Sequence, residues 1–410
     1  MHFHPNVRNY LFFTIVVFFL LDNLLKNIFS FNYGYVIGIG VLTLISLSSF
    51  ISMKKHKNFF VLLFAVLIAS LQSIFFYLNN NFLPDGFFET YYLLVLSPFF
   101  IFLAISTYNN KDLYHLLSLL SNTFYISLFG SLLYYFYILG FINYDLSYFL
   151  SPEKTRSFGE IVIRNNSIYG GSLAAGGILF MQLLLSVFLY DKTDNSKYVL
   201  WVYILFFLIL TTMSRRVIIP ATLLLTYMVF FRYRKFNLKH SVFIFIALIL
   251  FSYFYIDYLE VLILRYLGAF DFFGHDVSNL SRLNAIQHGF ISGIYNPFGT
   301  GLGSASSIGK EVNSIHDSIG FIGVAESFYM TIFAELGVFF SFIFIILLLK
   351  FTQSLDRTTK LIFLFPLLLE SVMGLSLLNP ASNLFFYISL FSSFYIFRNE
   401  EYYASKKSAP

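Results

Sequence analysis

Apolar residues form long runs along this chain, and short polar segments separate the runs. A bilayer core of about 30 Å needs roughly 20 apolar residues for each helix that crosses it. On that measure the runs predict twelve transmembrane helices, and we expect an all-α polytopic membrane protein with residues 1–410 in a single membrane domain. The predicted helices lie near 9–29, 33–52, 58–78, 87–107, 113–139, 167–190, 198–213, 217–231, 241–265, 324–349, 361–379 and 384–397.

Lys and Arg residues fall mainly in every second polar segment, and loops rich in these residues stay in the cytoplasm. Both termini are therefore expected inside, with residues 398–410 as a cytoplasmic tail. The opposite side receives two sizeable loops, near 140–166 and 266–323. The cytoplasmic set comprises Arg8, Lys54, Lys55, Lys57, Lys111, Lys192, Lys197, Arg232, Arg234, Lys235, Lys239, Lys350, Arg357, Lys360, Arg398, Lys406 and Lys407.

A smaller set of basic residues falls on the opposite side, where the orientation rule does not explain it. Function is therefore sought on that face. These residues are Lys154, Arg156, Arg164, Arg215, Arg216, Arg265, Arg282 and Lys310.

Composition agrees with the membrane interpretation, because 58% of the residues are hydrophobic and only 11% are charged. The absence of cysteine excludes disulfides, thiolate metal sites and cysteine nucleophiles. The net charge of +5 does not point to nucleic acid, since the basic residues lie mostly in short loops between apolar runs. The apolar N-terminal run has no small-residue cleavage site, which favours a retained first helix over a signal peptide.

TTMSRRVIIP, residues 211–220, places Arg215 and Arg216 between two apolar runs that are shorter than a bilayer crossing normally requires. The pattern predicts a short helical hairpin whose tip lies below the outer membrane surface. Charged groups at that depth normally face a partner or a water-filled cavity. The two guanidinium groups could reach lipid head groups, or they could bind the oxygens of a phosphate.

NLSRLNAIQHGFISGIY, residues 279–295, has an apolar helical face and predicts an amphipathic helix on the outer membrane surface. Ser281 is expected as its N-cap, which would place Arg282 in the first turn. A cation is unfavourable there unless it shares the site with an anion. Arg282 could instead pair with Asp276 or another carboxylate of the loop.

The glycine-rich segment NPFGTGLGSAS, residues 296–306, resembles a phosphate-binding loop only superficially. No strand precedes it and no Gly-Lys-Ser/Thr follows it, so it matches neither nucleotide-binding pattern. A turn is the better interpretation, although its glycines would also let backbone approach a ligand closely.

Two acids mark the predicted tenth helix. Glu326 lies near its outer end and is the better candidate to orient a hydroxyl or accept its proton. Glu335 lies nine residues further along, on the opposite face, and we favour a structural role for it. His316 competes with Glu326, and Tyr329 shares the face of Glu326. The histidines show no metal-ligand spacing, so no metal site is expected.

Taken together, these parts resemble the O-antigen polymerase (Wzy) and O-antigen ligase superfamily. The features that carry the resemblance are about twelve helices, an SR pair between the seventh and eighth, and a long outer loop with an amphipathic helix and an NPxGxGxG-like turn. The segment ESxYxxxxxExG, which opens the next helix, completes the pattern. The similarity is clearest over residues 198–350.

The resemblance implies the fold of the C-type glycosyltransferases, which use polyprenyl phosphates and neither metal nor cofactor. A polymerase of this kind transfers a growing glycan from undecaprenyl diphosphate to an incoming lipid-linked repeat unit, at the periplasmic face of the bacterial inner membrane. Its substrate would be an undecaprenyl-diphosphate-linked oligosaccharide, and a polysaccharide chain-length regulator is an expected partner. The diphosphate would bind Arg215 and Arg282, with Arg216 or Arg164, while Glu326 orients the acceptor hydroxyl.

Two alternatives remain open. O-antigen ligases usually have a histidine in an HNxxL motif where this chain has Glu326 and Ser327, which favours a polymerase and argues against assigning the ligase histidine's role to His316. A polysaccharide flippase would also suit twelve helices with both termini inside. A transporter, however, is expected to show internal repeats and polar residues at the midplane, whereas the charges of this chain gather on one outer face.

Overall fold

The computed structural model describes most of the predicted membrane helices and the segments that join them. Of Arg215 and Arg282 it describes the backbone only. The described residues are 5–22, 25, 34–50, 57–84, 86–138, 140–142, 146, 150, 153–157, 160–228, 277–305, 327–372, 374 and 376–408.

The described part of the chain is mainly helical. Its α-helices are α1 Pro5–Leu20, α2 Gly34–Phe50, α3 Lys57–Asn80, α4 Phe87–Tyr91, α5 Ser97–Ile105, α6 Asn110–Ser121, α7 Thr123–Ile138, α8 Ser172–Thr193, α9 Ser196–Thr212, α10 Arg215–Tyr227, α11 Val277–Tyr295, α12 Phe328–Gln353, α13 Arg357–Thr359, α14 Phe365–Val372 and α15 Pro380–Ser408. Two π-helical turns, Tyr92–Leu96 and Lys360–Leu364, join α4 to α5 and α13 to α14, and Ser376–Leu378 forms a 3-10 turn before α15.

Five described helical segments are long and apolar enough to cross a membrane: Asn58–Asn80, Phe87–Ile105, Asn110–Ile138, Ser172–Thr193 and Phe328–Gln353. Helices overlap eleven of the twelve predicted segments, and the ninth, 241–265, lies outside the described residues. Long apolar runs predict helices well, because a segment that crosses a membrane would have to satisfy its backbone hydrogen bonds within the helix.

Several predicted boundaries require correction. The segment 113–139 is two helices, α6 and α7, which meet at Asn122. In the segment 361–379, α14 ends at Val372, and the 3-10 turn precedes α15. The predicted tail 398–410 continues α15, which is helical through Ser408.

A small antiparallel hairpin departs from the predicted all-α class. Strand β1, Glu153–Ser157, pairs with β2, Glu160–Arg164, with Glu153 opposite Arg164. The hairpin lies in the predicted outer loop 140–166. Its second strand, EIVIR, contains the β-branched residues that strands favour. A search for apolar runs of about 20 residues does not find so short an element.

Helix α8 forms the centre of the bundle and is buried along almost its whole length. It packs on α9, on α15 and on α6. A helix buried on all sides has no need of one polar face, and its one buried amide, Gln182, bonds to Ser127 at 2.8 Å and to Thr123 at 2.9 Å.

Helix α12 is interrupted at Gly337, whose φ of 70° and ψ of 174° are not helical. The interruption frees the carbonyl groups of Ala334 and Glu335 from the helical ladder. These accept hydrogen bonds from the backbone amides of Thr300 at 3.0 Å and Gly301 at 3.2 Å. The glycine-rich segment therefore satisfies the backbone of the interrupted helix α12.

Close backbone approach explains the glycines of this segment. Gly299, Gly301 and Gly303 all have φ near +88°. A Cβ on Gly299 would collide with the carbonyl of Glu335, and one on Gly303 would collide with the backbone of Gly86. The turn interpretation is thus confirmed, and the backbone that these glycines admit belongs to the protein itself.

The amphipathic helix exists, but it starts earlier than predicted. Helix α11 begins at Val277, so Ser281 lies inside the helix and is not its N-cap, and Arg282 lies beyond the first turn. The first turn of α11 contains the polar residues Ser278 and Asn279. Since these residues do not belong to the apolar pattern, the pattern could not show that the helix starts before Ser281. Phe290 of α11 stacks on Phe333 of α12 with ring centroids 5.5 Å apart.

Candidate functional site

The candidate site lies around the tight turn between α9 and α10, which the SRR pattern predicts as the tip of a helical hairpin. Only Met213 and Ser214 separate the two helices. Met213 has φ +51°, the left-handed conformation that commonly ends a helix. Its backbone amide bonds to the carbonyl of Leu210 at 3.0 Å, and Arg215 and Arg216 become the first two residues of α10.

Arg164, at the end of β2, closes this turn from the side. Its guanidinium is buried and donates to the carbonyl of Thr212 at 3.1 Å and to the carbonyl of Met213 at 3.4 Å. The last carbonyls of a helix have no partner within the helix, and a cation at that end is favourable. The described contacts of Arg164 therefore stabilise the C-terminus of α9.

Arg216 reaches from α10 to α14, where it meets a buried acid. Its Nε atom lies 3.7 Å from Oε1 of Glu370, which is fully buried, and the Arg216 side chain is only 12% exposed. Its Nη2 atom donates to the carbonyl of Leu173, at the start of α8, at 2.7 Å. These contacts hold the guanidinium between three helices, and we call Arg216, Glu370, Ser376 and the Leu173 carbonyl the Arg216 site.

Further contacts fix the carboxyl group of Glu370. The hydroxyl of Ser376 donates to Oε1 at 2.8 Å. Gly374 lies so close that a Cβ there would collide with Oε1. Oε2 is buried and has no hydrogen-bond partner among the described residues. The carboxyl group is thus held in one place, with one oxygen still able to accept a hydrogen bond.

Two glycines of α8 let these parts come together. A Cβ on Gly176 would lie 3.1 Å from the Cβ of Ser214, in the α9–α10 turn. A Cβ on Gly177 would lie 2.7 Å from the hydroxyl oxygen of Ser376. The α9–α10 turn and the 3-10 turn therefore both pack closely against the start of α8, where the two glycines have no side chains to keep them apart.

The start of α12 packs beside Glu370, against the end of α14 and the segment that follows it. Ser327 donates through its hydroxyl to the carbonyl of Ser371 at 3.3 Å. The backbone amide of Phe328 donates to the carbonyl of Gly374 at 3.1 Å. The described chain therefore borders the Arg216 site at Ser327 and Phe328, and Glu326 lies outside the described residues.

The predicted site residues are only partly described. Arg164 and Arg216 both lie at the α9–α10 turn, and Tyr329 lies in the first turn of α12, where its hydroxyl donates to the carbonyl of Leu368 at 3.0 Å. Arg215 is at the first position of α10, and Arg282 is inside α11. His316 and Glu326 lie outside the described residues.

Glu370 was missed by the sequence reasoning. It is an acid inside the predicted helix 361–379, and an ionisable residue in such a segment is a functional candidate with a partner to be found. Oε1 of Glu335 accepts a hydrogen bond from the backbone amide of Ala305 at 3.1 Å, a contact that agrees with the structural role favoured for this residue.

This arrangement suits the binding of an anion. A guanidinium held by a buried carboxylate and a carbonyl keeps a fixed direction. The N-terminus of α10 adds the positive end of a helix dipole.

No protein-family model, no curated protein and no solved structure matches this chain.

Proposed function

We propose that this protein polymerises lipid-linked oligosaccharide repeat units. It would transfer the growing glycan from undecaprenyl diphosphate to the terminal sugar of an incoming undecaprenyl-diphosphate-linked repeat, in O-antigen, capsule or exopolysaccharide synthesis. We place the reaction at the periplasmic face of a bacterial inner membrane, with twelve helices and both termini in the cytoplasm. The buried pair of Arg216 and Glu370, beside the α9–α10 turn, is the observation that supports this proposal most strongly.

In this reaction the acceptor hydroxyl oxygen attacks the anomeric carbon of the growing glycan. The bond from that carbon to the diphosphate breaks, the diphosphate leaves with the bonding electrons, and the hydroxyl proton passes to a base. The leaving group is already activated, so the protein mainly has to stabilise its charge and orient the acceptor. Arg215, Arg216 and Arg282 would stabilise the charge, and Glu326 would take the proton.

The contacts of the described residues divide these roles further. Glu370 and the Leu173 carbonyl hold Arg216 from two sides, so Glu370 acts as a positioning residue for that guanidinium. Arg164 donates to helix carbonyls, so its part in diphosphate binding would be to hold the turn that carries Arg215 and Arg216. Ser327, which follows Glu326 in the sequence, docks on Ser371, and this contact supports the proposal that Glu326 takes the proton.

Deletion in a strain with smooth lipopolysaccharide tests the proposal. A polymerase mutant should cap its lipid A core with a single repeat unit, whereas a ligase mutant would leave the core uncapped. Uncapped core with accumulated lipid-linked polymer would overturn the polymerase assignment. Arg215→Ala, Arg282→Ala and Glu326→Gln should each abolish polymerisation of the cognate lipid-linked repeat in vitro, while the protein remains in the membrane.

A further inference from the structure

A cavity of about 390 Å³ lies at the end of α12, whereas the Arg216 site borders the start of that helix. Residues 353–356 form one wall of the cavity, in the last residue of α12 and the turn that leads to α13. Phe394, Phe397 and Arg398 form the other wall and share one face of α15. The volume is in the range of small-molecule sites, about 300–1,000 Å³. We call this cavity the α12–α15 cavity.

Hydrogen bonds of Thr359 hold one wall of the cavity against α15. Its hydroxyl donates to the hydroxyl of Ser393 at 3.3 Å. Its backbone amide donates to Oδ2 of Asp356 at 2.9 Å, and Asp356 is the N-cap of α13. The carboxylate of Asp356 is therefore fixed in place at the wall of the cavity.

Two opposite charges line the cavity, and they do not pair with each other. Among the described residues, neither the Arg398 guanidinium nor the Asp356 carboxylate has an ion-pair partner within 4.0 Å. The neighbouring cation, Lys192, lies over the ring of Phe397 and pairs with Glu400 at 3.0 Å. Its charge is therefore balanced outside the cavity. The cavity thus presents one cation and one anion to the same ligand.

The cavity lies at the level expected for lipid head groups. Exposed apolar side chains of α12 continue as far as Leu349, and the next residue is the exposed Lys350. A lysine near the end of a membrane helix normally extends to the polar membrane surface. The cavity begins at Gln353, about 6 Å beyond Leu349 at 1.5 Å per residue. This position falls within the polar layer of a bilayer, which is about 5–7 Å thick on each side of the hydrocarbon core.

We propose that the α12–α15 cavity binds the head group of phosphatidylethanolamine. The phosphate would accept hydrogen bonds from Arg398, and the ammonium group would pair with Asp356. An ethylene link joins these two groups in the lipid, so one head group neutralises both charges of the cavity. A purely anionic head group, such as that of phosphatidylglycerol, would leave Asp356 without a cation and would be repelled by it. The inference does not depend on the proposed reaction, because it requires only that these helices lie in a membrane.

The test uses the purified full-length protein in detergent micelles, with lipid binding measured by native mass spectrometry. The wild type should bind phosphatidylethanolamine at least fivefold more tightly than phosphatidylglycerol. Asp356→Asn should abolish this preference, because Asn is an equally good N-cap but carries no charge. Arg398→Gln should weaken the binding of both lipids at least fivefold. The matched control is Arg357→Gln, at an exposed arginine beside Asp356 that does not line the cavity, and it should change binding less than twofold.

Several results would overturn the proposal. One is a wild type that binds phosphatidylglycerol as tightly as phosphatidylethanolamine, a comparison that needs no variant. Another is an Asp356→Asn protein that keeps the wild-type preference, or an Arg398→Gln protein that binds both lipids like the wild type. Free phosphorylethanolamine is the third ligand in the measurement. If it displaces the lipid at equal concentration, the ligand is a soluble zwitterion and the assignment to a membrane lipid is wrong.

Discussion

Nε of Arg216 lies 3.7 Å from Oε1 of Glu370, between two helices that are far apart in sequence. Removing one member of such a buried pair leaves the other charge buried without compensation, which costs roughly 3–5 kcal/mol. We expect Glu370→Gln and Arg216→Gln each to lower the free energy of unfolding by this order. The double variant should be less destabilised than the sum of the two, as judged from thermal unfolding of the purified protein. Strictly additive effects would show that the two side chains do not interact.

Gly374 gives a way to disturb the carboxyl group of Glu370 without changing any charge. A Cβ at Gly374 would collide with Oε1, so Gly374→Ala should displace the carboxyl and, with it, Arg216. We expect a loss of polymerisation of at least tenfold in vitro. Gly171→Ala is the matched control, because Gly171 lies just before α8 with no atom within 4 Å of an added Cβ. Equal activity of the two variants would argue against a positioning role for Glu370.

The helices could be predicted from the sequence because apolar runs of this length have few stable alternatives to a helix. The positions of α3, α8, α9 and α12 follow from apolar runs alone. The partner of a charged residue could not be predicted, since Arg216 and Glu370 come together only through the packing of α10 on α14. Similarly, the turn at the glycines before α12 could be predicted, but the backbone that they contact could not, because the contact depends on the interruption of α12 at Gly337.

Arg164 should matter for stability. Arg164→Met removes the donors to the Thr212 and Met213 carbonyls and leaves buried acceptors unsatisfied, which costs about 1–3 kcal/mol. Lys350→Met is the control, because Lys350 is exposed near the C-terminal end of α12, and surface substitutions usually change the free energy of unfolding by less than about 0.5 kcal/mol. Thermal unfolding should rank the two variants in that order. A reversed order would show that Arg164 does not stabilise the end of α9.

Substitutions at Gly299 and Gly140 distinguish the cost of backbone strain from the cost of a steric collision. Both glycines have positive φ, +88° at Gly299 and +76° at Gly140. Gly140 has no atom within 4 Å of an added Cβ, so Gly140→Ala should cost only the left-handed strain of about 1–2 kcal/mol. Gly299→Ala adds a collision with the carbonyl of Glu335 and should cost roughly 3 kcal/mol or more. Equal losses in thermal stability would mean that the glycine-rich segment does not pack on the broken helix α12.

The natural absence of cysteine allows the proposed orientation to be tested with single cysteines. Asn79 lies at the exposed end of α3 and is predicted outside, while Lys111 lies at the exposed start of α6 and is predicted inside. In intact cells whose outer membrane has been made permeable, a membrane-impermeant maleimide should label Asn79→Cys and leave Lys111→Cys unlabelled. After disruption of the inner membrane, both should react. Labelling of Lys111→Cys alone in intact cells would invert the orientation and would place the Arg216 site at the cytoplasmic face, where the proposed periplasmic polymerisation could not occur.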